Sequence, residues 1–135
     1  MATPLEVEIG ATEAVGDARR GARRLAEQIG FDAVGAEEIA IVVSELGSNL
    51  VRYARRGRLR IGRVDGEPGA GLEVVSEDDG PGIADVRQAV VDGFSTGGGL
   101  GGGLGAVHRL ADEVAIESSE RGTRIVARKW LRRSE

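Results

Sequence analysis

A carboxylate and a carboxamide lie one helical turn apart at Glu45 and Asn49, in a stretch whose apolar residues recur with helical spacing. Residues at this spacing project from the same face of a helix. Such a pair offers a base that can remove a proton from a hydroxyl, and an oxygen ligand for a hard ion such as Mg²⁺. An ordinary polar pair at the boundary of the core explains the same spacing, so the pair alone is a weak signal.

The second cluster is an acidic turn. Asp78 follows an apolar segment with strand character, and Gly80 and Gly82 come soon after it. A carboxylate at a strand end can accept a hydrogen bond from the amino group of adenine, and glycines let the backbone pass close beneath a flat ring. Thr123, at the start of the last predicted strand, can add a hydroxyl to the same set of hydrogen bonds. A plain Asp-Gly turn is the alternative.

The third cluster is a glycine run from residue 97 to residue 105. Its central residues are Gly99, Leu100, Gly101, Gly102, Gly103 and Leu104. A glycine loop that leads into a helix presents backbone N–H groups to an anion, and the helix dipole assists. The sequence has no GxxxxGK[ST] motif, and no strand precedes the run, which excludes a P-loop and a dinucleotide fold. Together the three clusters predict a site for ATP and Mg²⁺.

Size and composition limit the remaining possibilities. The chain has 135 residues, is 41% hydrophobic and 30% charged, and contains no cysteine. We therefore expect one domain over residues 1–135, without disulfides or a cysteine-based zinc site. A net charge of −4 argues against a nucleic-acid-binding protein. No apolar stretch is long enough for a membrane span and no secretory signal is evident, so we expect a cytoplasmic protein without a membrane partner.

Arginines cluster in two places despite the acidic balance. The clusters comprise Arg19, Arg20, Arg23 and Arg24, and then Arg52, Arg55, Arg56 and Arg58. Solvated helix faces and a basic turn explain them. This is the favoured interpretation, and a docking surface for an acidic protein partner is the functional alternative. An arginine cluster beside a nucleotide cleft could also screen phosphate charge, and the sequence leaves this open.

Hydrophobic periodicity predicts alternating blocks of strands and helices. Strands are expected near residues 5–9, 58–64, 71–76, 114–117 and 123–129. Helices are expected near 12–30, 36–54, 85–91 and 103–111, with Thr12 as a helix cap and with Gly30 and Gly57 as helix ends. The breaker-rich segment 65–71 is expected to form the turn between the second and third strands. The order predicts an α+β two-layer sandwich, a mixed and mostly antiparallel sheet with helices on one face.

The combination of these motifs resembles the GHKL ATPases, which have the Bergerat or histidine-kinase-like ATPase fold. Within that superfamily the whole chain resembles the RsbT-like switch serine/threonine kinases of the bacterial stressosome, close relatives of anti-sigma-factor kinases. The segments that carry this closer resemblance are 77–83, 92–96, 98–104, Val107-x-Arg109-Leu110 and Lys129-Trp130-Leu131.

The resemblance implies roles for individual residues. Asn49 would ligate Mg²⁺, Glu45 would act as the base, and Asp78 would bind the amino group of adenine. The remaining ATP-binding positions would be Gly80, Gly82, Gly99, Leu100, Gly101, Gly102, Gly103, Leu104 and Thr123. Two departures are the high glycine content of the 97–105 run and Gly47, which places a helix-weakening residue between Glu45 and Asn49.

The resemblance also implies partners and an activity. Members phosphorylate Ser or Thr on STAS-domain scaffold and antagonist proteins, and once released they bind and activate a PP2C-type phosphatase in sigma-factor control. The alternative is a partner-switching binding module or anti-sigma factor with weak or only sensory use of ATP. A histidine kinase fragment fits less well, because no phosphoacceptor helix with a histidine is present.

Overall fold

The computed structural model describes residues 3–53, 57–79, 103–119 and 121–131 of the chain. In this part, five strands form one sheet and three helices pack on one of its faces. The elements in chain order are β1 (Leu5–Ile9), α1 (Thr12–Ile29), α2 (Ala33–Tyr53), β2 (Gly57–Gly66), β3 (Gly69–Asp78), α3 (Gly103–Leu110), β4 (Glu113–Ser119) and β5 (Gly122–Trp130). The predicted two-layer α+β sandwich is confirmed, whereas the helix predicted at 85–91 lies outside the described residues.

The strand order across the sheet is β1-β2-β3-β5-β4, and every neighbouring pair is antiparallel. Strand β5 therefore lies between β3 and β4. This arrangement places the end of β3 beside the start of β5, where Asp78 is the cross-strand partner of Thr123. Two segments that are distant in the sequence thus meet at one end of the sheet.

The two faces of the sheet differ in chemistry because successive strand residues point to opposite sides. The helix-covered face is apolar, and Leu59, Ile61 and Val74 on it are almost completely buried. The open face is charged, and the sign alternates from strand to strand. Its charged residues are Glu6 and Glu8 on β1, Arg58 and Arg60 on β2, Glu73 and Glu77 on β3, Arg124 and Arg128 on β5, and Glu113 and Glu117 on β4.

Gly47 allows α2 to pack closely against α1 and the sheet. A Cβ atom at this position would lie 2.9 Å from Val15 Cγ1 and 3.5 Å from Leu59 Cδ1. Real Cβ atoms essentially never approach another atom as closely as the first of these distances. The glycine that weakens the helix locally is therefore required by tertiary packing.

The starts of the first two helices differ from the prediction. Helix α1 begins at Thr12 itself, and the preceding Ala11 makes no side-chain capping hydrogen bond, so Thr12 is not the cap. Helix α2 begins at Ala33, earlier than the predicted residue 36. Asp32 explains the earlier start, because its Oδ1 accepts a hydrogen bond of 2.8 Å from Gly35 N. The predicted end of α1 is confirmed, since Gly30 has a φ of 126° and its N–H bonds to the Ala26 carbonyl.

The turn between β2 and β3 is much shorter than predicted. Gly66 pairs with Gly69, so only Glu67 and Pro68 lie outside the strands. Gly71 belongs to β3, where it is the cross-strand partner of Trp130. A Cβ added at Gly71 would lie 2.7 Å from the Trp130 ring. Glycine at position 71 makes room for the aromatic ring of Trp130 on the neighbouring strand. Sequence patterns instead associate such a glycine with a turn. No helix in the described part of the chain is long and apolar enough to cross a membrane.

Candidate active site

Helix α2 carries Glu45 and Asn49 on one face, at the border of the core. Both side chains are partly buried, whereas the neighbouring Leu46 and Leu50 are buried against the sheet and α1. The pair therefore lies beside the apolar stripe, as the helical spacing predicts. Helix α2 contacts α1, α3 and the sheet, so it holds the Glu45 carboxylate in a well-packed position.

The second part of the candidate site is the end of the sheet where β3 stops and β5 starts. Thr123 N lies 3.3 Å from Asp78 Oδ1 and donates a hydrogen bond to it. Asp78 is partly buried and Thr123 is buried, at 6% exposure. The contact joins residues that are 45 positions apart in the chain. It fixes one carboxylate oxygen of Asp78 against the backbone of the neighbouring strand.

Gly122 makes this close approach possible. Its φ of 147° lies in the region that side chains disfavour, and an added Cβ would lie only 2.0 Å from the Asp78 carbonyl oxygen. Any other residue would have to push the two strand ends apart. The Gly122-Thr123 pair is therefore required for the geometry around Asp78, a role that the sequence alone does not reveal.

The hydroxyl of Thr123 has a partner that the sequence analysis missed. Ser118 Oγ lies 2.9 Å from Thr123 Oγ1, and either hydroxyl can be the donor. Ser118 is the cross-strand partner of Thr123 on β4. The register of the β4–β5 hairpin, counted back from the turn, is the signal that identifies Ser118. This contact orients the Thr123 hydroxyl at the same strand end as Asp78.

Helix α3 follows the glycine run and packs on α2. Leu104 and Val107 are buried in the core, so the first turn of α3 is well anchored. Its C-terminal end is held by Lys129 on β5, whose Nζ donates a 2.9 Å hydrogen bond to the Leu110 carbonyl. Lys129 Nζ also lies 3.5 Å from Glu38 Oε1 on α2. A cation at a helix C-terminus donates a hydrogen bond to a carbonyl that has no partner within the helix, and it interacts favourably with the negative end of the helix dipole.

The predicted site residues lie partly outside the described part of the chain. Gly80 and Gly82, and the glycine-run residues Gly99, Leu100, Gly101 and Gly102, lie outside the described residues. Gly103 and Leu104 are at the start of α3. The described part thus brings Asp78 and Thr123 into contact, holds Glu45 and Asn49 together on α2, and packs the helix that follows the glycine run against α2.

Glu77 ties the same end of the sheet together on the open face. One of its carboxylate oxygens, Oε1, lies 3.0 Å from Arg60 Nη2 and 3.4 Å from Arg58 Nε, and the other, Oε2, lies 3.8 Å from Arg124 Nε. Oε1 is buried, and these ion pairs do not have hydrogen-bond geometry. Alternation sends Glu77 to the open face and Asp78 to the helix-covered face, so these arginines pair with Glu77 from the side of the sheet opposite to Asp78.

The donor set suits a hard ion that is shared with a phosphate ligand. In the described residues no group of three or more His, Cys, Asp or Glu side chains could hold a metal ion. Mg²⁺ usually keeps several waters and takes only one or two protein oxygens in addition to substrate phosphates. Asn49 can provide one such oxygen, so the residues present fit this type of magnesium binding.

Comparison with known proteins agrees with the fold and the motifs. Residues 10–129 match the family described as the histidine kinase-like ATPase domain. The chain is 45% identical over 116 residues to the serine/threonine-protein kinase RsbT of Bacillus subtilis (strain 168). The matched residues cover 85% of this chain and 87% of that protein.

Solved structures share the fold at lower identity. The crystal structure of the RsbU and RsbW domains of Rv1364c from Mycobacterium tuberculosis matches 98% of this chain with a TM-score of 0.69 and 19% identity. This chain spans 33% of that longer chain. The mycobacterial sensor histidine kinase MprB matches 99% of this chain and 100% of its own, with a TM-score of 0.57 and 18% identity.

By the family match over residues 10–129 and the 45% identity to RsbT, the chain belongs to the histidine kinase-like ATPase domain family and, within it, to the RsbT-like serine/threonine kinases.

Proposed function

We propose that this chain is an ATP- and Mg²⁺-dependent kinase of STAS-domain scaffold and antagonist proteins in a bacterial stressosome. After release from these proteins it binds and activates a PP2C-type phosphatase and so controls a sigma factor. In this proposal the protein acts in the cytoplasm, and residues 1–135 form one kinase domain. The similarity to RsbT along most of both chains supports the proposal.

The adenine pocket in this proposal lies at the strand ends that hold Asp78 and Thr123. The single observation that carries it is the close approach of these two residues, made possible by Gly122. Thr123 N occupies one carboxylate oxygen of Asp78 and so orients the carboxylate, which then accepts a hydrogen bond from the adenine amino group. Gly80 and Gly82 form the floor of the pocket, and the Thr123 hydroxyl completes its hydrogen bonds.

The phosphate side of the site lies on α2 and at the start of α3. Asn49 provides a side-chain oxygen to Mg²⁺, and backbone N–H groups of the run Gly99, Leu100, Gly101, Gly102, Gly103 and Leu104 face the phosphates. Bound MgATP supplies the phosphoryl group, and the metal neutralises part of its charge. The anchored first turn of α3 supports this assignment, since buried Leu104 and Val107 hold the helix in place.

Glu45 acts as the base in this proposal. Its carboxylate accepts the proton of the serine or threonine hydroxyl of the protein substrate, while α2 holds it one turn from Asn49. Phosphoryl transfer depends mainly on positioning and charge neutralisation, so a rigid helix that carries both groups provides much of what the reaction needs.

The division of roles between Glu45 and Asp78 can be tested directly. We expect Glu45→Ala to keep the affinity for a nonhydrolysable ATP analogue and to lose phosphoryl transfer by a factor of about 100 or more. Asp78→Asn should lower the nucleotide affinity itself by about tenfold or more, because it removes a charged hydrogen-bond acceptor. Titration calorimetry and a transfer assay with labelled ATP measure the two effects. Val34→Ala, an exposed change near the start of the same helix and 68% exposed, is the control and should alter neither the affinity nor the transfer. An equal loss of affinity in both variants would contradict the assignment.

The alternative of a binding module that only senses ATP predicts a different result. Incubation with labelled ATP and a purified STAS-domain protein should place stoichiometric label on that protein if the chain is its kinase. Complex formation without label would instead favour the binding module.

A further inference from the structure

Strand β1 forms one edge of the sheet. Its inner side pairs with β2 from Leu5 to Ile9, and no described strand pairs with its outer side. An unpaired edge presents backbone N–H and C=O groups in the spacing that another extended chain requires. Such an edge is a template for strand addition by a partner.

A groove lies directly beside this edge, on the helix-covered face. It has a volume of about 530 Å³ and is separate from the residues of the candidate active site. Leu5, Gly21 and Leu25 provide apolar lining, while Thr3, Arg24, Gln28 and Arg63 add polar groups. Gly21 leaves the space that Leu5 needs, since a Cβ there would be 2.7 Å from Leu5 Cδ1.

The groove has a positive charge that the described part of the chain leaves partly unneutralised. On α1, Arg19 and Arg23 pair with Glu37, and Arg20 pairs with Asp17. Arg24 has no carboxylate partner among the described residues. Arg63 belongs to the helix-covered side of β2 because it lies opposite Leu72, and its partner Asp65 is exposed to solvent. Arg63 donates hydrogen bonds of 3.1 and 3.3 Å to Asp65. Two guanidinium groups thus line the groove beside the apolar side chain of Leu5.

The open face of β1 has the opposite charge. Glu6 and Glu8 point to this side, next to the arginines of β2. Because charge alternates from strand to strand across the open face, a strand added outside β1 would continue the pattern with basic side chains. The two faces of the edge therefore require different residues from an incoming chain.

We propose that the β1 edge and its groove bind an extended segment of a partner protein by strand addition. On one face the segment carries apolar side chains and a carboxylate that pairs with Arg24 and Arg63. On the other face it carries basic side chains that pair with Glu6 and Glu8. This surface is distinct from the nucleotide site, so binding here does not depend on the proposed ATP chemistry.

Charge disfavours a second copy of the chain as the occupant. If a copy continued the sheet through its own β1 with its helices on the same face, Glu6 and Glu8 would lie opposite the same glutamates of the copy. Like charges directly opposite each other in a sheet are destabilising. A heterologous segment with the complementary alternation avoids this repulsion.

The test uses a blocked seven-residue peptide that alternates lysine on one face with Leu, Asp and Leu on the other. Fluorescence anisotropy of the dye-labelled peptide measures binding to the full chain. We expect saturable binding that weakens at least tenfold in the double variant Arg24→Glu, Arg63→Glu. The same variant should recover binding to a peptide in which lysine replaces the aspartate. Arg20→Glu, on the same helix but outside the groove, is the matched control and should bind like the unchanged chain.

Two further measurements separate strand addition from loose electrostatic contact. Amide hydrogen exchange of residues 5–9 should slow at least fivefold when the peptide is bound, and the affinity for an ATP analogue should stay unchanged in the double variant. Absence of binding at millimolar peptide, binding without protection of β1, or binding that survives the double charge reversal would each overturn the proposal. A dimer in sedimentation whose formation slows amide exchange of residues 5–9 without peptide would overturn it as well.

Discussion

At the β2–β3 hairpin, Gly69 has a φ of 121° and no atom within 4 Å of the place where a Cβ would lie. At the other end, Gly122 has a φ of 147°, and a Cβ would lie 2.0 Å from the Asp78 carbonyl oxygen. The two glycines share an unusual backbone angle but differ in their surroundings. Both glycines lie at hairpins, since Gly69 pairs with Gly66 and Gly122 pairs with Ser119. Only Gly122 also permits the close approach of two strand ends that hold candidate site residues.

The residues around the two glycines differ as well. Near the β2–β3 hairpin, Trp130 lies across Gly66 and Gly71, and its Nε1 donates a hydrogen bond to Glu113. At the other end, the polar side chains of Asp78, Ser118 and Thr123 are bonded to one another or to backbone. One end is closed by an aromatic ring on glycines, and the other presents oriented polar groups. This difference suits the second end to recognition of a flat polar ligand.

The largest expected effect comes from replacing Gly122 by alanine, with Gly69→Ala as the matched comparison. Gly69→Ala introduces only an unfavourable backbone angle, so we expect a loss of about 1 kcal/mol in the free energy of unfolding. Gly122→Ala adds the collision with the Asp78 carbonyl, and we expect about 3 kcal/mol or more. Urea unfolding measures both. Equal losses would mean that close approach is not the reason for glycine at position 122.

A smaller effect is expected from Lys129, the single lysine of the sequence. Lys129→Met removes the hydrogen bond to the Leu110 carbonyl and the ion pair with Glu38, and should lower the free energy of unfolding by about 2 kcal/mol. Lys129→Arg keeps the charge but not the compact ammonium geometry, so its loss should be smaller. Urea unfolding of the two variants measures the difference. If both behave like the unchanged chain, Lys129 does not anchor α3.

The hydroxyl contact between Ser118 and Thr123 is expected to contribute about 1 kcal/mol. The single changes Ser118→Ala and Thr123→Val and their combination form a double-mutant cycle. We expect a coupling free energy near this value in unfolding experiments. We also expect Ser118→Ala to reduce the affinity for an ATP analogue by a few fold, since Thr123 loses its orienting partner. Strict additivity of the two changes would show that the contact contributes nothing.

The smallest effect is expected on the open face. Arg124 is 44% exposed and pairs with Glu77 at 3.8 Å, so Arg124→Gln should change the free energy of unfolding by about 0.5 kcal/mol or less. The difference from the unchanged chain should shrink further in 1 M salt, which screens exposed charges over roughly 3 Å. A salt-independent loss above 1 kcal/mol would indicate that the open face has a structural role beyond charge pairing.

Much of the fold was predictable because the patterns are local. Alternation in β1 and the apolar stripe of α2 identified both elements, and Gly30 marked the end of α1. The boundaries that were wrong involve side chains or pairings that periodicity does not see. Asp32 starts α2 early by bonding to Gly35 N, and the pairing of Gly66 with Gly69 extends both strands into the segment that composition assigned to a turn.

The candidate site also has residues that local patterns predict and residues that only contacts between distant segments reveal. Glu45 and Asn49 share a helix face because of the helical repeat alone, so the sequence sufficed for that pair. Ser118 was missed, and Lys129 was noted only as part of the family resemblance, because their roles depend on contacts with Thr123 and Leu110 across different elements. The β1 groove was also absent from the prediction, although Arg24 had been noted as part of a basic cluster.

By itself, the amino-acid sequence determined which segments become strands and helices and which motifs relate the chain to its family, since both depend on residues close together along the chain. Tertiary structure alone decided that β5 lies between β3 and β4, that Asp78 meets Thr123, and that Gly47 and Gly122 must lack a side chain. These features depend on which distant segments pack together. Such pairing is set by the burial of one shared core, and no local pattern of residues encodes it.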